Sequence, residues 1–390
     1  MSTLLQLSVQ NFRSFREEAV LSFAPIESGG APSSLALVYG ANGSGKSNLV
    51  AAVAWLGAVI KGTRADESLP YEPFRLGVET RSAPSRLEVV FEVQGVRWTY
   101  GIAVLPREVV EEWLLRADAS GADEVVFERD RAGGLKLGAL LSPPGERGAV
   151  LRFVAEGTRP NQPFIAEARE RHVLELDRTF IWLGSQVVER GPLAGTSRKL
   201  EMVALDLLEP APAKAWVLSA LADLELDAAD LEVQVTESQR LTFDVIRHDD
   251  GGGRVAFDIG EESDGTRRYL ELLWIRRSRF HGLTVIDELD ASLHTLLAQR
   301  FLRAHLAASD GAQLLATTHD TNLLDLNVLS AAMIWFVERG PDGGSRLYSL
   351  AEFKPEQLRS MTGHLEAGYL QGRFGAIPFF GDPVRLGWKA

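Results

Sequence analysis

"VYGANGSGKSNLV", residues 38–50, decides how the rest of the chain is read. Gly40, Gly45, Lys46 and Ser47 satisfy G-x-x-x-x-G-K-[ST], with Asn42, Gly43 and Ser44 inside the loop and Asn48 just after it. Glycines without a Cβ let backbone N–H groups curl around phosphate oxygens, and a helix starting at the lysine offers its positive end to the same anion. Lys46 is placed to reach the β and γ phosphates, and Ser47 to ligate Mg²⁺. The flanks agree with this reading. "SLALVYG" predicts a short buried strand, and "SNLVAAVAWLGAVI" lacks proline and turn signals and predicts a helix, so the order is strand, loop, helix.

Outward from the loop, "LLQLSVQNFRSF" and "AVLSFAP" predict two antiparallel strands before it. From Ser85 to about Lys136, alternating runs such as "RLEVVFEV" and "VRWTYGIAVL", divided by Gly- and Pro-containing turns, predict an antiparallel sheet. Helix formers dominate 151–230, which reads as a helical insertion with "EPAPA" as a breaker. Strand patterns resume at "LEVQVTE", "LTFDVIRHD" and "GRVAFDIG". A helix at "RRYLELLWIRRSRF" then leads to two buried strands, "LTVIDE" and "QLLATTH", with the helix "SLHTLLAQRFLRAHLAAS" between them. That βαβ rhythm predicts a largely parallel sheet, with an α/β core split in sequence and joined in space. The expected organisation is 1–150, one half of the core with an antiparallel β lobe; 151–230, the helical insertion; and 231–390, the other half. No heptad run is long enough for an extended coiled coil.

A phosphate loop needs an acidic partner at the end of a buried strand, and "LTVIDELD" supplies one 241 residues after Lys46. Asp287 is placed to hold Mg²⁺, and Glu288 to orient or deprotonate the attacking water. His319 ends the next strand, 32 residues after Asp287, where an imidazole could hydrogen-bond the γ phosphate. A lone histidine at a strand end is more often structural; this one follows the right strand. "ESDGTRRYL", 262–270, puts Ser263, Gly265 and Thr266 at a helix start. They could cap the helix or bind the phosphate of a nucleotide held by a second copy.

Composition narrows the classes. With 45% hydrophobic and 24% charged residues over 390 positions, the chain can bury a sizeable core. A net charge of −12 means that any DNA contact must be local. The absence of cysteine excludes disulfides, thiolate metal sites and cysteine nucleophiles. "MSTLLQLSVQNF" carries no secretory pattern, and the longest apolar run, Leu49 to Ile60, falls short of the roughly 20 residues that span a bilayer. The expectation is a cytoplasmic protein with no membrane partner.

The ordered set of Walker A (Gly40–Ser47), a signature-like segment (Ser263–Thr266), Walker B (Leu283–Glu288), a D-loop at Asp290 and a switch histidine at His319 resembles the ABC-type ATPase heads of the RecF, SMC and OLD class. Within that class it resembles the small AAA family ATPases of bacterial antiphage, or abortive-infection, systems. "NFRSF", "EPFRL" (Glu72–Leu76) and the tail "GYLQGRFGAIPFF" (Gly368–Phe380) carry the same resemblance. It implies a P-loop ATPase head with ATP and Mg²⁺ as ligands, working as a homodimer or higher homo-oligomer. Lys46 and Ser47 of one copy would then be closed over by Ser263 and Gly265 of the other, with Asp290 communicating across the interface and Arg13 contacting the nucleotide in cis. It also implies a separately encoded effector, a nuclease of TOPRIM-like or HNH type; the alternatives are a RecF-like repair ATPase that clamps DNA, or a regulatory ATP-binding scaffold. Two departures stand out. Asp264 replaces the first glycine of the usual signature, and no glutamine sits where a Q-loop should be: that region reads "YEPFRL", and Gln162 in "NQPF" is a poor substitute. A nuclease centre within the chain is not expected, since no D-x-D follows His319 and "DLELD" (Asp223–Asp227) reads as a solvated helix face. The arginines of "RRSRF" (Arg276–Phe280) with Arg267 and Arg268 are the candidate basic strip for DNA.

Overall fold

Two sheets and a separate smaller unit follow from how the strands alternate. The computed structural model describes residues 2–25, 30–131, 134–184, 187–190, 198–208, 212–235, 241–277, 282–308, 311–354 and 365–377. Its compact units are Met1–Arg190 with Phe280–Glu288 and Ala308–Ala390, and Gly191–Arg279 with Leu289–Ala307.

In the first unit the chain opens with β1 (Ser2–Gln10) and β2 (Ala19–Ser22), an antiparallel pair. Next come β3 (Leu35–Tyr39), the loop, and α1 (Lys46–Val59). The antiparallel lobe continues with β4 (Ser85–Val93), β5 (Val96–Leu105), β6 (Glu108–Ala117), β7 (Asp123–Asp130) and β8 (Gly134–Leu137), giving a seven-stranded sheet in the order β2-β1-β4-β5-β6-β7-β8. Alternate residues of β4, Ser85, Leu87, Val89 and Phe91, are buried, the period of two expected of a strand with one face on a core. Three helices follow: α2 (Glu146–Glu156), α3 (Phe164–Glu170) and α4 (Asp177–Gly184). Buried Glu112 on β6 accepts from the N–H groups of Phe164 at 2.6 Å and Ile165 at 3.1 Å, and from Tyr100 Oη at 3.1 Å. It thereby satisfies the donors that open α3.

The stretch 151–230 is not helical throughout. Its residues Val187–Arg190 form β9, parallel to the Walker B strand. Two apolar residues followed by two charged ones are too short for a period to show, and the strand exists because a neighbouring strand pairs with it. Residues 151–190 belong to the first unit.

The second unit holds α5 (Arg198–Leu208), α6 (Pro212–Asp223), the antiparallel sheet β10 (Asp230–Val235), β11 (Leu241–His248) and β12 (Arg254–Asp258), then α7 (Asp264–Arg277). After β13 (Leu283–Asp287), which lies in the first unit, α8 (Thr295–Ala307) returns to the second. Trp274 Nε1 donates to Asp206 Oδ2 at 2.9 Å, tying α7 to α5. "DLELD" is a correction: the helix ends at Asp223, whose carboxylate pairs with Arg300 at 2.6 Å, and Leu224–Asp227 lie beyond it.

The chain then re-enters the first unit through β14 (Gln313–Thr317), β15 (Ile334–Arg339), β16 (Ser345–Ser349) and α9 (Leu365–Leu370). The central sheet has the order β16-β15-β3-β14-β13-β9, parallel except for the β15–β16 hairpin. All residues of β3 and β14 are buried, as in a parallel sheet covered on both faces. The tail packs by its rings: Phe336 stacks on Tyr369 and Phe374 at centroid distances of 5.7 and 5.8 Å, and Tyr39 meets Tyr369 edge-on at 6.0 Å. Of "GYLQGRFGAIPFF", residues 378–380 lie outside the described residues.

Candidate nucleotide site

The register of three parallel strands assembles the site. Thr317 of β14 stands opposite Val38 of β3, and the preceding pair, Ala316 with Ile286, puts Asp287 of β13 at the same level. The strands therefore end together. Gly40, Glu288 and His319 all follow within two residues of that level, at the carboxyl edge where open α/β sheets bind ligands.

The loop is shaped for an anion. Gly43 and Gly45 have φ of +75° and +118°, in the left-handed region that glycine tolerates. A Cβ on Gly40 would lie 2.3 Å from the Val337 carbonyl oxygen, and one on Gly45 would lie 2.3 Å from Ser345 Oγ. Lys46 is 6% exposed, and its Nζ donates to Gly40 O at 2.7 Å and Ala41 O at 3.2 Å, which brings the ammonium into the ring of the loop. Among the described residues nothing accepts from the N–H groups of Gly43 and Gly45, and Ser44 Oγ is buried without a hydrogen-bond partner. Free donors, a buried cation and an orphaned hydroxyl in a Cβ-free cradle fit a polyphosphate. Ser47, Asn42 and Gly43 are exposed beside them.

At the acidic strand, Asp287 accepts from Thr317 Oγ1 at 2.6 Å, and the same hydroxyl oxygen accepts from Glu288 N at 2.8 Å. Glu288 is exposed and has φ +53°, a left-handed conformation uncommon for a side-chain-bearing residue and concentrated at functional sites. Asp287 with Ser47 is a hard-oxygen donor set of the kind Mg²⁺ takes alongside substrate phosphates. His319 is exposed, one residue beyond Thr318, whose N–H donates to Val38 O at 3.1 Å.

Three residues that sequence reasoning missed support the site, two of them behind the loop. Ser345 Oγ donates to the Ser44 carbonyl, the Ser14 and Ser345 hydroxyls are hydrogen-bonded at 2.8 Å, and Asn48 Nδ2 donates to Ser14 Oγ at 2.7 Å. Thr317 is the third. Thr317 stood in "LLATTH" in plain view, but only the register shows that it faces Asp287; Ser14 and Ser345 are 331 residues apart and carry no joint signal.

"NFRSF" and "EPFRL" prove to be one construction. Asn11 Nδ2 donates to the carbonyls of Thr80, Ala83 and Pro84, Asn11 Oδ1 accepts from Phe74 N, and Arg13 pairs with Glu72 at 2.7 Å. Arg13, Glu72, Gly43, Asn48 and Arg339 line a cleft of about 510 Å³ beside the loop.

In the second unit, Ser263 Oγ accepts from Thr266 N at 3.1 Å and so caps α7. Gly265 packs where a Cβ would come within 2.8 Å of Ser292 O, just after Asp290. Asp264 is paired with Arg267. Of the candidate basic strip, Arg268 is 1% exposed and paired with Glu271, which takes it out of the strip; Arg267 pairs with Asp264, and exposed Arg277 lies over the Trp216 ring. Residues 278–280 of "RRSRF" lie outside the described residues. Gln162 is fully buried and accepts from Thr63 N at 2.9 Å, so it braces the turn after α1.

A family model described as "AAA domain, putative AbiEii toxin, Type IV TA system" matches residues 35–325, from β3 through the segment after His319. The chain belongs to this AAA domain family. Its phosphate loop joins β3 to α1 at the carboxyl edge of a mostly parallel sheet, and an antiparallel β lobe accompanies that sheet. Among solved structures it is similar to the SMC head domain from Thermotoga maritima, with 16% identity over 89% of this chain and 98% of that one, at a TM-score of 0.43. An SMC head bound to the C-winged helix domain of ScpA matches at 15% identity, 92% and 99% coverage and a TM-score of 0.46. An SMC head with an extended coiled coil bound to the C-terminal domain of ScpA from Pyrococcus furiosus matches at 13%, 93% and 98%, and 0.43. No curated protein matches the sequence. Among the described residues no helix is long and apolar enough to cross a membrane.

Proposed function

We propose that this AAA domain is a Mg²⁺-dependent ATP hydrolase that works as a homodimer closed over two ATP molecules. Its closure would control a separately encoded nuclease effector in bacterial antiphage defence. One observation carries the catalytic reading: β3, β14 and β13 end at one level, so Lys46 with its loop, His319, and Asp287 with Glu288 share one edge of the sheet.

In this reading the N–H groups of Gly43 and Gly45 and the Lys46 ammonium hold the phosphate chain, with Asn42, Ser44 and Asn48 shaping the loop. The cleft beside Arg13 and Arg339 receives the nucleoside. Ser47 and Asp287 hold Mg²⁺, which when bound neutralises charge on the phosphate oxygens. Glu288 orients a water and takes its proton as the oxygen bonds to the γ phosphorus and the bond to ADP breaks. His319 hydrogen-bonds the γ phosphate and registers its departure. Ser263 and Gly265 of the second copy close the nucleotide from the far side, and Asp290 links the two copies. Hydrolysis removes the γ-phosphate contacts that hold the pair shut, which makes closure a switch. The defence role draws support from the family's description as a putative toxin of a toxin–antitoxin system.

The test is phage plating on cells carrying the gene with its native neighbours, wild type against Lys46→Ala. Protection lost in the variant supports nucleotide-dependent defence. No protection across a broad phage panel, with sensitivity to DNA damage on deletion, would turn the reading to DNA repair.

A further inference from the structure

The hydrogen bonds behind the phosphate loop run in one direction. Asn48 Nδ2 can only donate, and it donates to Ser14 Oγ. The Ser44 carbonyl can only accept, and it takes the hydroxyl proton of Ser345. A hydroxyl has a single proton, so the bond between the two serines, 2.8 Å long, uses the proton of Ser14. The series is therefore Asn48 to Ser14 to Ser345 to Ser44 O. Each bond in such a series polarises the next. It ends on the carbonyl of the Ser44–Gly45 peptide, whose own N–H is that of Gly45. A carbonyl that accepts a strong hydrogen bond leaves the N–H of the same peptide a better donor, because the amide is one conjugated group.

The same two hydroxyls explain why position 45 is glycine. A Cβ there would lie 2.3 Å from Ser345 Oγ and 2.7 Å from Ser14 Oγ, so the serines occupy the hemisphere that the missing side chain leaves open. Both are anchored independently of the loop. Ser345 N donates to Ser14 O at 2.7 Å, Phe12 and Phe15 exchange backbone bonds across the turn that presents Ser14, and Arg16 reaches Asp342 of the β15–β16 hairpin at 3.5 Å.

We infer that Ser345 and Ser14 are positioning residues of the phosphate site: they hold Gly45 in its left-handed conformation and strengthen its N–H as a donor to a phosphate oxygen. This rests on the ATP-binding reading. It adds that two segments far apart in sequence, the "NFRSF" turn and the β15–β16 hairpin, set how tightly the loop holds phosphate.

The test uses the full chain with Ser345→Ala, Ser14→Ala and the double variant. Mg-ATP is titrated calorimetrically, inorganic tripolyphosphate is titrated separately, and thermal unfolding is followed in parallel. Each single variant is expected to weaken ATP by about fivefold, the effect of one neutral hydrogen bond of ordinary net strength. Tripolyphosphate, which has neither base nor ribose, should weaken by the same factor. The double variant should lose less than the product of the singles, because both break one series. Unfolding temperatures should stay close to wild type; if Ser345→Ala fails to fold, Ser14→Ala, in a partly exposed turn, decides the matter. ATP affinity within about twofold of wild type in the folded variants overturns the inference. So does a loss confined to ATP, which would assign the serines to the nucleoside cleft. Wild-type protein that binds no ATP would overturn the hydrolase reading itself, a result the variants do not mimic.

Discussion

Thr317 gives its hydroxyl proton to Asp287 at 2.6 Å and with the same oxygen receives the amide of Glu288 at 2.8 Å. One buried side chain on β14 thus orients the carboxylate proposed to hold Mg²⁺ and fixes the backbone that presents the carboxylate proposed to act on water. Replacing it by the near-isosteric valine removes both bonds and little volume. Thr317→Val is expected to lower ATP turnover by about 10- to 100-fold, as loss of an outer-sphere partner does in metal sites. Metal-free ATP binding, which rests on the loop, should persist. Steady-state phosphate release beside equilibrium ATP binding measures both.

The roles proposed for Lys46 and Glu288 separate binding from chemistry. Glu288→Gln should keep ATP bound and lower turnover by about 10²-fold or more, since the amide cannot take the proton. Lys46→Ala should weaken ATP binding itself. Unchanged turnover in the first variant, or wild-type affinity in the second, would contradict the assigned roles.

Gly40→Ala sets a methyl 2.3 Å from the Val337 carbonyl oxygen, a backbone atom inside the central sheet that cannot swing aside. The loop must shift to accept it. The expected result is loss of measurable ATP binding together with a lower unfolding temperature, read by titration and thermal unfolding.

Glu112 makes stability depend on pH. Burial, opposed by the Phe164 and Ile165 amides, Arg129 and Tyr100, raises its carboxyl above the ordinary 4.5. The folded chain therefore takes up this proton at a higher pH than the unfolded chain does. The stability it contributes is fully present below about 4.5 and is lost as pH rises through the raised value. Wild type should gain on Glu112→Gln as pH falls from neutral toward 4.5, measured by urea unfolding across that range. Glu112→Ala, which leaves the α3 amides without an acceptor, should cost about 1–3 kcal/mol.

The sequence made the strand–loop–helix legible because Gly40, Gly45 and Lys46 act through local backbone geometry. It also made Asp287–Glu288 legible, because an apolar strand ending in acids is a local pattern. It showed the antiparallel lobe for the same reason: period-two burial in β4 is written in consecutive residues. What it hid depends on pairing between distant segments. β9 is only "VVER" until β13 lies beside it. Thr317 is one of two adjacent threonines until the register turns it to Asp287. Ser14 and Ser345 are commonplace serines until the turn and the hairpin meet. Arg268 failed in the opposite sense, since a charged run suggested an open surface where the helix buries the side chain.

Tyr39 is the last residue before Gly40, and its ring lies against Tyr369 of α9, while Tyr348 Oη holds the Phe374 carbonyl at 2.6 Å. The footing of the loop is thus completed by residues more than three hundred positions downstream. A nascent chain can present the whole of "GANGSGKS" and still lack the rings on which it sits. Nucleotide capture is therefore expected to appear late in synthesis, once these rings have packed beside the strand that leads into the loop.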